Sequence, residues 1–374
     1  MLYQTHARVH LANIRFNLEG IRQAVGQNCK ILIAVKANGY GHGAVEVSRL
    51  AEKTGVDWLG VATVPEGLQL RQAGIKLPIL KFSPAFSEEL PAALSGGLTL
   101  AVCSRENVDD LQAVCRAGDL AANVHLKIDT GMGRVGVSPE EAPSLAAYIE
   151  NECPNVYLTG LFTHFPVSDE ADPIYTQGQI ERFKTTVDAI HAALGRKVEL
   201  VHASNSGAVL GHEPAWFDMV RPGIMIYGFY PDGGTPRTIE LRPGLSLVTR
   251  VSFLKKVAAG TSIGYGRTWI APEETWIATI PAGYADGFNR LFSNQGRVLI
   301  NGKSYPIVGR VCMDQSMVNL GPETEVKVGD EVVLIGRSGN EEITCYEWAE
   351  KLETITYEVT CQINSRVQRI YDPC

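Results

Sequence analysis

The 374-residue sequence is 45% hydrophobic, 20% charged and 8% aromatic, which excludes a disordered or fibrous chain. Its 34 Lys and Arg against 41 Asp and Glu give a formal net charge of −7, so no global positive charge attracts nucleic acid. No apolar run approaches the roughly 20 residues of a membrane span, and the amino terminus has no signal-peptide pattern, which predicts a cytoplasmic protein without membrane contact. The cysteines form no C-x-x-C pair, so no disulfide framework or metal site is predicted.

Short apolar runs alternate with segments of helical spacing through the first two thirds of the chain. The segments 44–55, 106–118 and 180–195 have helical spacing and end at a glycine, a common helix terminator. Eight such alternations without a nucleotide-type glycine fingerprint favour an α/β fold of the (β/α)8 barrel type over an open doubly wound sheet. The predicted strands are 31–35, 58–62, 78–82, 98–102, 123–128, 157–162, 199–203 and 217–220.

The pattern changes after about Gly234, where β-branched runs are punctuated by Gly, Pro and Asn. We therefore expect a barrel over 1–234 and a mostly-β carboxyl-terminal domain over 235–374, with residues 231–237 as the linker. Within the second domain, Asn301-Gly302 lies between two apolar runs. Both residues tolerate positive φ, so this pair predicts a tight hairpin turn.

Polar residues follow several of the predicted barrel strands. Lys36 follows the first strand, Lys127 lies within the fifth near its end, His164 follows the sixth and Arg221 follows the eighth. Because barrel enzymes build their sites at the carboxyl ends of the strands, these groups are expected to converge at one mouth.

Lys36 follows the apolar run ILIAV, where desolvation would lower its pKa from about 10.4 and favour the neutral, nucleophilic amine. Such an amine can form a Schiff base with an aldehyde. The loops SNSG, 204–207, and RPGI, 221–224, follow the last two strands, where barrels commonly bind phosphate. A phosphorylated aldehyde would satisfy both features. Taken singly, the lysine could also lie at the barrel rim with its amine in water, and each loop could be no more than a tight turn.

Seven motifs occur in order along the chain: AVKANGYGHG, KIDTGMGR, RPGI, GYGRTW, IPAGYADG, VGRVCMDQ and TYEV. Together they resemble the motifs of the alanine racemases, and the resemblance covers essentially the whole chain. It implies a pyridoxal 5'-phosphate enzyme that pairs a barrel with a carboxyl-terminal β domain.

By this resemblance, Lys36 binds the cofactor covalently and also serves as one of two bases. Arg221 would face the pyridine nitrogen. A guanidinium can only donate to that nitrogen, so the ring stays a weaker electron sink and side reactions such as transamination are disfavoured. The residues implied around the cofactor phosphate are Tyr40, Asn205, Ser206, Gly223, Ile224 and Tyr357.

Racemisation needs a base on each face of Cα. The resemblance makes Tyr265 the second base, contributed by the neighbouring subunit of a homodimer. A phenol of pKa about 10 needs assistance at neutral pH, which the family arrangement assigns to His164. Without that context, His164 also suits a structural role.

The resemblance assigns the substrate carboxylate to Arg134, assisted by the backbone of Met313 from the partner subunit. It implies that Lys127 is carbamylated and orients Arg134; an unmodified lysine paired with Asp129 is the alternative. Tyr265 and Tyr357 would form the innermost ring of the substrate entrance. The residues implied to constrict that entrance are Asp169, Arg290, Arg310 and Ile355, of which the arginines alone would also suit surface ion pairs.

Three positions depart from common family patterns: Trp269 replaces a frequent tyrosine, Gly207 a common alanine and Ile128 a usual leucine. None removes a reacting group. Trp269 lies close to Tyr265 in the sequence, so it could change the packing of the Tyr265 loop and the width of the entrance. The range of substrates is therefore the property that this departure leaves open.

The leading hypothesis is a racemase that interconverts L- and D-alanine, a small-molecule substrate, and supplies D-alanine for peptidoglycan. The alternative is a racemase of the same fold for serine or larger amino acids. A decarboxylase of this fold would place an acid opposite the ring nitrogen, and Arg221 argues against it. A non-catalytic cofactor carrier lacks the second domain, and a purely structural barrel needs no such polar mouth.

Overall fold

The computed structural model describes residues 3–372, which form two compact units. One comprises Asn13–Arg242; the other comprises the segment up to Ala12 together with the chain from Pro243 onward. This grouping differs from the predicted ranges 1–234 and 235–374. The first strand, β1 (His6–Val9), pairs antiparallel with the strand Leu245–Arg250 and parallel with the strand Gln368–Tyr371. Its backbone hydrogen-bonding groups therefore find their partners in the β unit.

The first unit contains the predicted (β/α)8 barrel, and each observed strand falls within a predicted range or begins one residue before it. The eight strands form one parallel sheet in the order β8-β7-β6-β5-β4-β3-β2-β9. The backbone N–H groups of Asp218 and Arg221 donate to Val201 (3.0 Å) and Ser204 (2.7 Å), which nearly closes the sheet. The strands are β2 (Lys30–Ala34), β3 (Trp58–Val61), β4 (Ile79–Lys81), β5 (Thr99–Val102), β6 (Ala122–Lys127), β7 (Val156–Phe162), β8 (Leu200–His202) and β9 (Met219–Val220).

Helices follow most of these strands and bury their apolar faces. Gly195 ends one of them in the left-handed region (φ 65°), as predicted. Gly118, by contrast, is still helical, and Asp119 takes the left-handed cap (φ 50°). The helices are α1 (Leu11–Val25), α2 (Lys36–Tyr40), α3 (Ala44–Lys53), α4 (Val64–Gln72), α5 (Leu90–Ser95), α6 (Arg105–Gly118), α7 (Ala142–Glu152), α8 (Ile174–Leu194) and α9 (Ser206–Gly211).

The second unit is mostly β, as predicted. Its main sheet has the order β16-β15-β18-β10-β1-β20, with β19 paired to β18; β11-β14-β17 and β12-β13 form smaller sheets. The elements are β10 (Leu245–Arg250), β11 (Phe253–Val257), β12 (Ser262–Ile263), β13 (Trp269–Ile270), β14 (Thr275–Ile280), β15 (Arg297–Ile300), β16 (Lys303–Pro306), β17 (Ser316–Gly321), β18 (Glu331–Ser338), β19 (Glu341–Ile343), α10 (Cys345–Lys351), α11 (Thr356–Cys361) and β20 (Gln368–Tyr371).

Turn chemistry and aromatic packing hold this second unit together. The predicted hairpin joins β15 to β16, and Asn301 (φ 50°) and Gly302 (φ 76°) both adopt positive φ. Phe288, Phe292 and Trp348 form a buried aromatic cluster with ring centroids 4.7–5.4 Å apart. Across residues 3–372, no helix is both long and apolar enough to span a membrane.

Candidate active site

The chain makes a left-handed turn directly after Lys36, at the carboxyl end of β2. Ala37, Asn38 and Tyr40 have φ of 51–52°, and Gly39 has 61°. A left-handed conformation costs a non-glycine residue about 1–2 kcal/mol, so such a run persists only where its surroundings fix it. The position of Lys36 is therefore determined by contacts beyond the strand.

One of these contacts comes from Glu66 at the start of α4. Its carboxylate accepts the N–H of Ala37 (2.7 Å) on one oxygen and those of Ala62 (2.8 Å) and Thr63 (3.1 Å) on the other. Thr63 in turn caps the helix by accepting the N–H of Glu66. The spacing Thr63-x-x-Glu66 is a readable capping signal, but it gives no hint that Glu66 also reaches the turn after Lys36.

Five predicted cofactor-site residues come together at this turn or beside it. The Lys36 ammonium lies 5.9 Å from the centre of the Tyr40 ring, which stacks on Tyr227 at 5.0 Å. A Cβ added to Gly223 would lie only 2.7 Å from the Tyr40 hydroxyl oxygen. Ser206 Oγ accepts the N–H of Gly223 at 2.9 Å. Ile224, the next residue, is fully buried.

Asn205 ties this region to the loop between β7 and α8. Its side-chain oxygen accepts from Ser168 Oγ (2.6 Å) and from the N–H of Ala208 (3.1 Å). A Cβ on Gly207 would lie 2.8 Å from both the backbone nitrogen of Asp169 and Ser168 Oγ. Glycine at position 207 therefore allows the loop carrying Asp169, which is half-buried, to approach closely.

Arg221 is buried, and within residues 3–372 all the acceptors bonded to it are uncharged. Its Nη2 donates to the carbonyls of Thr163 (2.6 Å) and Ala203 (2.9 Å), and its Nη1 donates to His202 Nδ1 (3.0 Å). Burial lowers the pKa of Arg221 to about 9. The guanidinium therefore remains largely cationic at neutral pH.

The donor character of Arg221 fixes the protons on two buried histidines. His202 must accept at Nδ1, so its Nε2 carries the proton and donates to His125 Nδ1 at 2.9 Å. Burial lowers the pKa of His125 to about 3 and that of His202 well below its usual value. Both rings are therefore neutral. Neither histidine was predicted as a site residue, because nothing in the sequence shows that they point into the barrel.

His164 lies where the fields of four predicted site cations meet. Its Nδ1 is 3.5 Å from Arg221 Nη2. Burial lowers the pKa of His164 well below its usual value, and the charges of Arg221, Arg134, Lys127 and Lys36 lower it further. The mouth of the barrel thus combines a neutral imidazole with a strongly positive field suited to anions.

Lys127 is buried at the end of β6. Its Nζ donates to the carbonyl of Phe82 (3.3 Å). Burial, followed by the charges of Arg134 and Arg221, lowers the pKa of Lys127 to about 8. A substantial share of this amine is therefore neutral near physiological pH.

Asp129 holds the loop that carries Arg134. One carboxylate oxygen accepts the N–H groups of Gly131 (2.9 Å), Met132 (2.8 Å) and Gly133 (3.1 Å). Burial raises the pKa of Asp129, but these donors outweigh it and hold the pKa below its usual value. Asp129 was predicted only as a partner for Lys127, whereas its carboxylate organises the backbone in front of the exposed Arg134.

In the second unit, Tyr265 lies in the loop between β12 and β13 and is 74% exposed. The flanking Gly264 and Gly266 both have φ of 72°. Arg310 runs against this loop, since a Cβ on Gly266 would lie 3.3 Å from Arg310 Nε. Trp269 packs on the buried cluster formed by Val257, Ile263, Ala271, Ile277 and Val308, and so supports the base of the loop.

The other predicted residues of this unit lie on two loops and one helix. Met313 is exposed, between the isolated bridge at Ile307 and strand β17. Arg290 is exposed and begins a short 3-10 turn. Ile355 caps the amino end of α11 and is exposed, and Tyr357 is half-buried in its first turn.

The family comparison covers both units of the chain. Residues 9–231 match the family described as alanine racemase, N-terminal domain, and residues 244–371 match alanine racemase, C-terminal domain. The chain belongs to the alanine racemase family. Members of this family are isomerases that act on a small molecule and generally depend on pyridoxal phosphate.

Individual alanine racemases are similar over their full length. The alanine racemase of Cutibacterium acnes is 48% identical over 372 residues, covering 98% of this chain and 97% of the relative. The structure of the alanine racemase of Clostridium difficile 630 superposes with a TM-score of 0.94 at 39% identity, covering 100% of this chain and 96% of that one. The enzyme from E. faecalis gives 0.92 at 38% identity, covering 99% and 98%.

Proposed function

We propose that this chain interconverts L- and D-alanine with pyridoxal 5'-phosphate bound through Lys36. The observation that carries the proposal is the field around His164, where the positive charges of Lys36, Arg221 and Arg134 act on one neutral imidazole. A cofactor phosphate and a substrate carboxylate are both anions, and such a field binds both.

The residues present fit this cofactor. Gly223 can carry no side chain without meeting the Tyr40 hydroxyl, and Ser206 Oγ lies against the Gly223 backbone, so two hydroxyl groups border this glycine and could bind a phosphate. Asn205, Ile224 and Tyr357 would complete the set. Once bound, the cofactor would acidify the Cα proton of an amino acid by withdrawing electron density from Cα.

Two bases would act on opposite faces of Cα. Lys36 takes or returns the proton on one face, and Tyr265 of the neighbouring subunit in a homodimer does so on the other. The high exposure of Tyr265, together with that of Ile270, Leu291 and Met313, supports a subunit contact on this unit. A neutral His164 with its proton on Nε2 would donate to the Tyr265 phenolate and so stabilise it.

Arg221 directs the chemistry toward racemisation. It would face the ring nitrogen of the bound cofactor and donate a hydrogen bond without transferring the proton, because even its lowered pKa of about 9 lies well above that of a pyridine nitrogen. A ring nitrogen that stays unprotonated withdraws fewer electrons from Cα, which favours return of a proton to Cα over side reactions. An acid at this position would support decarboxylation instead, so Arg221 disfavours that alternative.

Substrate binding would rest on Arg134, held by the Asp129 loop, together with the Met313 backbone of the partner subunit. We also propose that Lys127 forms a carbamate. Its neutral amine attacks CO₂, a nitrogen–carbon bond forms, and the nitrogen releases a proton to solvent. The low pKa of Lys127 supports this step, and the resulting anion would orient Arg134.

A narrow entrance would select small zwitterions. Tyr265 and Tyr357 would line its inner ring, and Asp169, Arg290, Arg310 and Ile355 would constrict it further out. The contact of Arg310 with the Tyr265 loop supports this grouping. The product D-alanine would serve peptidoglycan synthesis in the cytoplasm.

Chiral chromatography after incubation with single amino acids tests the proposal. The purified chain with added pyridoxal phosphate should convert L-alanine to an equal mixture of enantiomers and do so faster than it converts L-serine or L-lysine. Faster racemisation of serine or lysine would favour the broader alternative. Release of CO₂ without D-alanine would contradict the proposal and indicate a decarboxylase.

A further inference from the structure

Arg366 joins two carboxylates of very different exposure in the β unit. Its Nε and Nη2 donate to the two oxygens of Asp286 at 2.7 and 2.9 Å, and its Nη1 donates to Asp314 at 2.8 Å. Asp286 is fully buried, whereas the Asp314 side chain is 59% exposed. The hydrogen bonds to Asp286 and Asp314 raise the pKa of Arg366 above its usual value. Its planar fork suits this three-point contact.

The two carboxylates belong to two loops that also touch through their backbones. The N–H of Tyr284 donates to the carbonyl of Cys312 (3.1 Å), and that of Ala285 donates to the carbonyl of Met313 (3.0 Å). A Cβ on Gly283 would lie 2.3 Å from the Met313 oxygen. Residues 283–287 and 312–315 are therefore pressed together, with Met313 at the contact.

Asp286 anchors the first of these loops internally. It accepts the N–H of Gly283 at 2.9 Å, and the Tyr3 hydroxyl donates to it at 2.9 Å. Asp314, directly after Met313, is bonded to Arg366 in the second loop. Arg366 thus links the buried, fixed carboxylate of Asp286 to Asp314 and restrains the position of Asp314, the residue next to Met313.

We propose that Arg366 is a positioning residue for substrate binding, which fixes the Met313 backbone at the place where it assists Arg134 in holding the substrate carboxylate. This rests on the proposed function, in which Met313 serves the partner subunit. The group that can hold a carboxylate is the Met313 N–H, since a carbonyl oxygen cannot donate. That N–H shares its peptide plane with the Cys312 carbonyl, which accepts the N–H of Tyr284, so the plane has one orientation only while the two loops stay together. Loss of the Arg366–Asp314 bond frees that plane to rotate.

Three variants separate positioning from folding. Arg366→Gln removes the whole contact, and Arg366→Lys restores the charge without the fork. Asp314→Asn keeps an oxygen acceptor but removes the negative charge, so it weakens only the exposed half of the contact and leaves the buried Arg366–Asp286 pair intact. The control, Arg337→Gln, removes an exposed ion pair of the same unit, that of Arg337 with Glu342 at 3.0 Å. Each protein is assayed as the holoenzyme for kcat and KM with alanine, and for the inhibition constant of propionate, a carboxylate that lacks the amino group.

We expect Arg366→Gln to raise the KM for alanine and the inhibition constant of propionate about tenfold, the cost of one bond to a charged group. Asp314→Asn should raise both about threefold and Arg366→Lys should fall between them, while kcat changes less than about twofold. Arg337→Gln should change neither constant.

If Asp314→Asn leaves both constants unchanged, the positioning role is overturned, whatever Arg366→Gln does to the melting temperature. Equal increases in Arg337→Gln would overturn it as well. A wild-type chain without alanine racemisation would contradict the proposed function instead, and that result precedes any comparison of variants.

Discussion

Arg221 donates to Nδ1 of His202 at 3.0 Å, and this single contact fixes the protonation of the barrel interior. Because the arginine can only donate, His202 carries its proton on Nε2 and donates it in a hydrogen bond to His125. Both rings stay neutral. The guanidinium keeps its charge at neutral pH, although no carboxylate within residues 3–372 is bonded to it. An arginine arranged in this way is able to face a pyridine nitrogen as a donor and not as an acid.

Replacing Arg221 tests its electronic role. Arg221→Glu places an acid where the donor was, which should favour a protonated ring nitrogen. We expect slower racemisation and more pyruvate per turnover from L-alanine, because electron withdrawal at Cα is stronger. Arg221→Lys, which keeps a cationic donor, serves as the control. An unchanged ratio of pyruvate to D-alanine in Arg221→Glu would contradict the electronic argument.

Removing the Lys36 amine tests covalent attachment. Lys36→Ala should bind no cofactor covalently after borohydride reduction, because the nucleophile is absent. Lys30→Ala, at the exposed opposite end of the same strand, should retain the attachment fully. The measurement is the intact mass and visible absorbance of the reduced proteins. A reduced cofactor still bound to Lys36→Ala would place the attachment elsewhere.

Tyr265→Phe separates the two faces of Cα. Racemisation should fall at least about a hundredfold in both directions, since each direction needs both bases. Exchange of the Cα proton with heavy water should nevertheless persist for one enantiomer, the one whose proton faces Lys36. Proton NMR of separate L- and D-alanine samples measures this exchange. Equal exchange of both enantiomers would show that Tyr265 is not the base on its face.

The close approach of the Ser168–Asp169 backbone to Gly207 predicts that an alanine at position 207 destabilises the fold. Gly207→Ala should lower the free energy of unfolding by about 1 kcal/mol and weaken the Ser168–Asn205 hydrogen bond, because the new Cβ meets the Asp169 backbone. Gly178→Ala, in the exposed part of α8 with no atom within 4 Å, should instead stabilise by about 0.5–1 kcal/mol. Urea unfolding measures both. Stabilisation by Gly207→Ala would show that the loop yields freely.

The Lys127 amine gives a test with a defined sign. Its pKa of about 8 lies below its ordinary 10.5, so the folded protein penalises the charged form below pH 8, and the penalty disappears as the pH rises toward 10.5. Without CO₂, the free energy of unfolding of the wild type should rise by about 3 kcal/mol relative to that of Lys127→Met between pH 8 and pH 10.5. With ¹³C-bicarbonate, a carbamate signal should appear in the wild type alone. A signal of equal size in Lys127→Met would place the carbamate on another residue.

The barrel and its mouth were predictable because their signals are local. Apolar runs located the eight strands, and the residues after them located Lys36, His164 and Arg221. The Asn301-Gly302 turn was likewise set by the backbone preferences of two neighbouring residues.

The remaining features depend on pairings between distant segments. Strand β1 joins the β unit only because β10 and β20 offer it hydrogen bonds. The reach of Glu66 to Ala37 and the contact of Arg366 with Asp286 span 29 and 80 residues of sequence. No local pattern specifies either contact.

The most direct test of two-base alanine racemisation is a short time course with L-alanine in heavy water, in which deuterium at Cα is measured separately in each enantiomer. We expect the first D-alanine formed to carry deuterium, delivered by the base on the face opposite to proton removal, while the remaining L-alanine still carries protium. D-alanine that retains the original proton of the substrate would contradict it.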